Sequence, residues 1–290
     1  MITDDDDDAL QDRSRAPVSV VIPFYNDTKT IRRAVLSAFE QEFPPEEVII
    51  VDDGSATSHN SSILRELGER FDGRCKILRL DKNRGPAAAR NAGWNAASQN
   101  YVAFLDADDA WNRAKLRLQM RVMLQDTEIA LSGHTRGMHE QLADAKLLTK
   151  EHSLSFQAML FRNKLPTASV IIKRDLPQRF DEKLRYCEDY DLWLRILADG
   201  SKGVFIPTSL ATAFKQTFGD SGLSSNLYAM ELAQTRVYKN LYARRSIRLP
   251  EYVVLVVWSR LRFSRRIAVS LVNSVERFVK RRTFTQSHNV

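Results

Sequence analysis

Leu105-Asp106-Ala107-Asp108-Asp109 places three carboxylates where the apolar run Tyr101-Val102-Ala103-Phe104-Leu105 ends. That run is too hydrophobic for a surface strand and reads as a buried one. Carboxylates gathered there repel one another unless a cation joins them. A hard divalent ion with oxygen ligands suits the set, and a diphosphate is its natural companion. The chemistry indicated is transfer from a phosphate-linked donor. From these residues alone, a solvated acidic turn remains the alternative.

Three further clusters carry polar chemistry. Asp52-Asp53-Gly54-Ser55 follows a second apolar run. It reads either as an Asp-Gly turn or as a carboxylate placed to accept the imide N–H of a uracil or thymine ring. Lys82-Asn83-Arg84-Gly85 precedes a helix start, where cations and free main-chain N–H groups hold phosphate oxygens, or else a solvated loop forms. Arg90, one turn into that helix, is placed to lean toward the acids at 106–109. Tyr186-Cys187-Glu188-Asp189-Tyr190-Asp191 sets acids at another helix start. The helix dipole alone favours acids there; functionally, one of them would take a proton from an acceptor hydroxyl.

The elements that must position these clusters alternate. Strands are expected at Val18–Phe24, Val48–Val51, Lys76–Leu80 and Tyr101–Leu105, with helices at Thr28–Gln41, Ser61–Phe71 and Gly85–Ser98 between them. Such alternation predicts an α/β fold with a mostly parallel central sheet flanked by helices. Ligands then bind beyond the carboxyl ends of the strands, where the polar clusters fall. Beyond that come a helix at Trp111–Leu124, strands at Ile129–His134 and Ser169–Lys173, a helix at Glu188–Ala198 and a short strand at Val204–Ile206. The stretch 137–166 shows no clear period.

Among 290 residues, 43% are hydrophobic and only two are cysteines, Cys75 and Cys187. They form no zinc or redox spacing, and low usage suits a reducing compartment. Residues 1–16, with five consecutive aspartates, read as a disordered acidic arm and not a secretory signal. Residues 17–222 are expected to form the catalytic domain and 223–290 a helical, basic segment. The net charge is +7, but Arg244 to Arg282 alone carries +9, so the remainder carries −2. No apolar run approaches the roughly 20 residues that a spanning helix needs. From Tyr252 to Val279 apolar residues, among them Val253, Val257 and Leu261, share one helical face, with Arg262, Arg265 and Arg266 opposite. Such a helix either packs on the body or lies in an anionic membrane surface. No nucleic-acid recognition motif accompanies the charge.

Five pieces in order carry a resemblance: Val-Ile-Pro-Phe-Tyr-Asn at 21–26, Val-Asp-Asp-Gly-Ser at 51–55, Asn-Arg-Gly-Pro-Ala-Ala-Ala-Arg-Asn-Ala-Gly at 83–93, Leu-Asp-Ala-Asp-Asp at 105–109 and Glu-Asp-Tyr-Asp-Leu-Trp-Leu-Arg at 188–195. Over about 18–215 the chain resembles an inverting family 2 glycosyltransferase with the GT-A nucleotide-sugar fold. The resemblance implies that Pro23 and Tyr25 line the nucleoside pocket and that Asp53 reads the base. Arg84, Gly85 and Arg90 join the nucleotide-sugar site. Asp106 and Asp108 form the D-x-D pair meeting the ribose and Mg2+ or Mn2+, with Asp109 sharing the metal, and Asp189 is the general base. It also implies a nucleoside-diphosphate sugar donor, UDP-linked, and a saccharide or lipid-linked saccharide acceptor. The expected location is cytoplasmic, peripheral on the inner face of the plasma membrane. Many relatives carry a His near the end of the catalytic domain. Here 213–224 has none, and Lys215 is the candidate in its place. A metal-dependent nucleotidyltransferase and a non-catalytic nucleotide-sugar-binding module are the rival readings.

Overall fold

The computed structural model describes residues 14–138, 151–214 and 226–286. The chain forms two compact units divided between residues 225 and 226.

In the first unit, β1 (Ala16–Phe24), α1 (Ile31–Phe39), β2 (Pro45–Asp52), α2 (Ser58–Arg70), β3 (Cys75–Arg79), α3 (Pro86–Ala96) and β4 (Tyr101–Phe104) alternate along the chain. Continuous apolar runs make β1 and β4 buried on both faces, as covered parallel strands require. On α1, Ile31, Ala34, Val35 and Ala38 are buried; this three-and-four spacing puts one helical face on the sheet. Pro86 sits in the first turn of α3, where its missing N–H costs nothing. The expectation of an arm extending to residue 16 is corrected at its edge, since Ala16 already belongs to β1 and is fully buried.

Strands β3, β2, β1 and β4 lie side by side in that order and run parallel. The chain therefore winds outward from β1 and then returns to its other side. The reversal falls between β1 and β4, and crevices open at the carboxyl ends of strands at such switch points. The acidic turn after β4 and the Pro23–Tyr25 segment ending β1 are thus brought together by topology.

Beyond β4 the sheet is mixed. It continues through β8 (Ile171–Lys173), β6 (Ile129–Met138), β9 (Lys202–Ala213) and β5 (Asp109–Trp111), with β7 (His152–Ser153) also pairing β9. Helices α4 (Lys115–Gln125), α5 (Phe156–Phe161) and α6 (Glu188–Ala198) and a 3-10 turn at Thr167–Ser169 complete the unit. Trp111 was expected to open a helix. It lies instead in β5, paired with Ala211, and its indole donates to the Ala168 carbonyl at 2.8 Å. The helix starts at Lys115, after a turn in which Asn112 Oδ1 accepts the Ala114 N–H at 2.9 Å. The strand expected at 204–206 runs twelve residues, because β9 is paired by β6 on one side and by β5 and β7 on the other.

The second unit contains α7 (Leu227–Ala243) and α8 (Leu249–Gln286). Buried Val237, Tyr238 and Leu241 of α7 and Leu255 of α8 form its interior. Ser259 Oγ lies 2.8 and 2.9 Å from the two carboxylate oxygens of buried Glu231, and Tyr242 stacks on Tyr252. The inward side of α8 is thus the Leu255–Ser259 side. Val253, Val257 and Leu261, the apolar face read from the sequence, are more than half exposed. Among the described residues no helix is long and apolar enough to cross a membrane.

Candidate active site

A cleft of about 870 Å³ opens at the switch point. One end is built on β1, on the turn after β2 and on the loop before α3. Pro23, Tyr25, Asp27, Asp53, Arg84 and Gly85 line it, and Tyr25 is half exposed. The two aspartates after β2 divide their roles. Asp52 Oδ1 accepts the Ser55 N–H at 2.9 Å and so closes the turn on itself. Asp53 faces the cleft, and its two oxygens accept the main-chain N–H groups of Arg84 and Gly85, each at 2.8 Å. Burial pushes the Asp53 carboxyl up, and these two bonds oppose that push.

Glycine is required twice here. Gly54 has φ +73°, and a Cβ on it would stand 2.6 Å from the main chain at Lys82 and Asn83. Gly85, at φ +90°, ends the loop in a backbone conformation that L side chains rarely adopt. The loop before α3 read either as free N–H groups for phosphate or as a solvated loop. In the structure the N–H groups of Arg84 and Gly85 are engaged by Asp53, while the Arg84 guanidinium pairs with Glu182 at 2.7 Å.

The other end of the cleft is built on the turn after β4 and on the start of α6. Asp106, Asp108 and Asp109 line it, with Arg90, Arg136 and Glu188. Arg90 leans where the sequence placed it. One nitrogen meets Asp106 Oδ1 at 2.7 Å and another meets Glu188 Oε1 at 2.8 Å. Burial alone would lower the Arg90 pKa, but the two carboxylates outweigh it and the net direction is up. Asp109 is buried and pairs with Arg136 at 2.9 Å. Burial, then the charge of Asp106, push its carboxyl up to about 7, against the pull of Arg136.

Among the described residues, no three His, Cys, Asp or Glu side chains converge as a group able to hold a metal alone. The expected three-acid set is therefore divided, because guanidinium groups already engage two of its members. Asp106 and Asp108 still offer hard carboxylate oxygens on one cleft-lining turn. That donor set fits Mg2+ or Mn2+, which take one or two carboxylates and complete their shell with phosphate oxygens and water.

Glu188 is the first residue of α6. Cys187 before it has φ +56°, a left-handed turn into the helix. Asp189 sits beside Glu188. Its Oδ1 accepts the Tyr190 N–H at 2.7 Å and its Oδ2 the Thr167 hydroxyl at 3.2 Å. Desolvation raises the Asp189 pKa, with those hydrogen bonds opposing. The direction suits a group that must accept a proton near neutral pH.

Thr167 and Arg136 were not foreseen. Thr167 occupies a single 3-10 turn beside the unreadable stretch. Arg136 lies in β6 past Gly133-His134-Thr135, where the apolar pattern stops. Glu182, Lys183 and Arg185 also line the cleft without a sequence signal. Lys215 lies outside the described residues.

This sheet, with a cleft at its switch point and an acidic turn after β4, is an α/β fold of the GT-A type. The family model described as "Glycosyl transferase family 2" matches residues 19–175, more than half the chain, and the chain belongs to that family. It is 28% identical over 211 residues to "UDP-Glc:alpha-D-GlcNAc-diphosphoundecaprenol beta-1,3-glucosyltransferase WfgD" of Escherichia coli, covering 73% of this chain and 81% of the relative. It is 29% identical over 226 residues to "Putative teichuronic acid biosynthesis glycosyltransferase TuaG" of Bacillus subtilis, covering 77% and 88%. Its fold resembles that of S. aureus TarS 1-349 solved in complex with UDP-GlcNAc, with a TM-score of 0.62 at 20% identity. That likeness covers 78% of this chain and 66% of TarS 1-349.

Proposed function

We propose that this glycosyltransferase moves a sugar from a UDP-sugar to a hydroxyl of a lipid-linked saccharide, with inversion and with a divalent cation. One observation carries the reading. The Arg90 guanidinium ties Asp106, on the D-x-D turn, to Glu188 at the start of α6, which brings the candidate metal acid Asp106 to the helix turn that carries Asp189, the residue after Glu188.

Asp53 reads the base at the nucleoside end, where Pro23 and Tyr25 flank the ring. Asp106 and Asp108 would hold Mg2+ or Mn2+, with the rest of its shell left to the donor and water. When bound, the cation supplies positive charge to the departing nucleoside diphosphate. Asp109 serves instead as the partner of Arg136. Asp189, aimed by Thr167, takes the acceptor hydroxyl's proton as that oxygen attacks the anomeric carbon from the face opposite the diphosphate. The new carbon–oxygen bond forms as the bond to the diphosphate oxygen breaks, which inverts the anomeric centre and needs no covalent enzyme intermediate.

The diphosphoundecaprenol-linked glucosyltransferase and the teichuronic acid enzyme among its relatives support an acceptor from surface-polysaccharide or lipid-linked saccharide assembly. A peripheral place on an anionic membrane surface follows from that acceptor and from α8. Its outward Val253, Val254, Val257, Trp258 and Leu261 are 43–62% exposed, and the stretch from Arg244 to Arg282 supplies a net charge of +9.

A screen of nucleotide sugars for slow metal-dependent hydrolysis tests the donor. UDP-sugars are expected to be cleaved, with UDP bound in preference to UTP. Preference for the triphosphate would instead indicate a nucleotidyltransferase.

A further inference from the structure

The turn that carries Asp108 lies between β4 and β5. It leads into β5, a three-residue strand whose only ladder partner among the described residues is β9. Within the turn, the Asp109 N–H reaches the Asp106 carbonyl at 3.0 Å. Asp109 pairs with Ala213 in the ladder, so Asp108 and Phe214 are the residues just outside its open end.

Arg33 of α1 reaches both. Its Nη2 donates to the Asp108 carbonyl at 2.7 Å, and its guanidinium carbon lies 3.5 Å from the centre of the Phe214 ring. A planar guanidinium can do both at once, donating in its plane while stacking through its face. Arg33 does not itself line the cleft.

We propose that Arg33 is a positioning residue for the donor site: it pins the Asp108 main chain to the end of β9 and so fixes the aim of the Asp108 carboxylate toward the cation and diphosphate. The inference rests on the metal-dependent reading above. A donor set completed by substrate oxygens tolerates little error, and a misplacement of about 1 Å in such a site costs on the order of 100-fold. α1 is thus a brace for the catalytic turn as well as cover for the sheet. Lysine at this position keeps the charge and a donor but loses the planar stack.

The test uses the full chain and titrates UDP calorimetrically with Mn2+ and with EDTA, in wild type, Arg33→Met and Arg33→Lys. Arg33→Met is expected to weaken UDP binding about 10- to 100-fold in Mn2+ while leaving the EDTA affinity and the melting temperature nearly unchanged, with Arg33→Lys intermediate. Equal losses in Mn2+ and EDTA, or a wild-type-like titration in Mn2+, would overturn the positioning role. Wild-type binding indifferent to Mn2+ would overturn the metal reading itself, and this inference with it.

Discussion

The two ends of the cleft are built from different materials. At the nucleoside end Asp53, the acid that faces the cleft, is fixed by main chain, through Arg84 and Gly85. At the reacting end the acids are fixed mainly by side chains: Asp106 and Glu188 by Arg90, and Asp109 by Arg136. Main-chain bonds between neighbouring loops are rigid and hold one geometry. Guanidinium–carboxylate pairs hold charge in balance and can be rearranged when a dication and a diphosphate arrive. One end is suited to recognising a constant group, the other to chemistry in which charge moves.

If that contrast is right, substitutions at the two ends fail differently. The largest effect is expected at the base. Asp189→Asn should lower kcat by about 10²- to 10⁴-fold and leave UDP affinity nearly intact; normal turnover would remove Asp189 from its role. Next comes Asp108→Ala, which should abolish the gain in UDP affinity given by Mn2+, a loss of about 100-fold or more, without changing the affinity in EDTA. Asp53→Asn turns an amide N–H toward one of two main-chain donors and leaves that donor without an acceptor. A loss of about tenfold in UDP affinity follows, and it should be the same with Mn2+ and with EDTA. A metal-dependent loss at Asp53 would dissolve the distinction between the ends.

The smallest effect is one of pH. Burial raises the Asp189 pKa, so activity should be full above that raised value and fall as pH drops through it, higher than for an ordinary carboxylate. The Thr167 hydroxyl bond opposes the rise. Thr167→Val should therefore move the acid limb of kcat/KM further up, by up to about one pH unit. A limb that stays in place would detach Thr167 from the base.

The same contrast explains what the sequence disclosed. The nucleoside end and its four parallel strands were legible because continuous apolar runs alternate with helical periods and each cluster directly follows a strand. The reacting end was half legible. Asp106, Asp108 and Asp109 follow a strand and could be named, and the family resemblance singled out Asp189, but Arg136, the partner of Asp109, and Thr167, the partner of Asp189, belong to segments without periodicity. β9 was read as three residues because Pro207-Thr208-Ser209 interrupts its apolar pattern. In the structure the pairing with β6 jumps there from Ile206 to Ser209, an irregularity that a ladder absorbs and a periodicity does not show. The inward side of α8 was not read from the sequence, for a related reason. Ser259 faces inward because Glu231 accepts its hydroxyl, and no hydrophobic pattern marks a polar contact of that kind.

The most direct test of the account is how Mn2+ partitions, read by its paramagnetic resonance signal. Two carboxylates completed by a diphosphate should hold the ion only in company. The full chain alone should leave the free-ion signal nearly unchanged, and the chain with UDP should quench it well beyond UDP by itself, an excess lost in Asp108→Ala. Quenching no greater than with UDP alone would contradict the central claim.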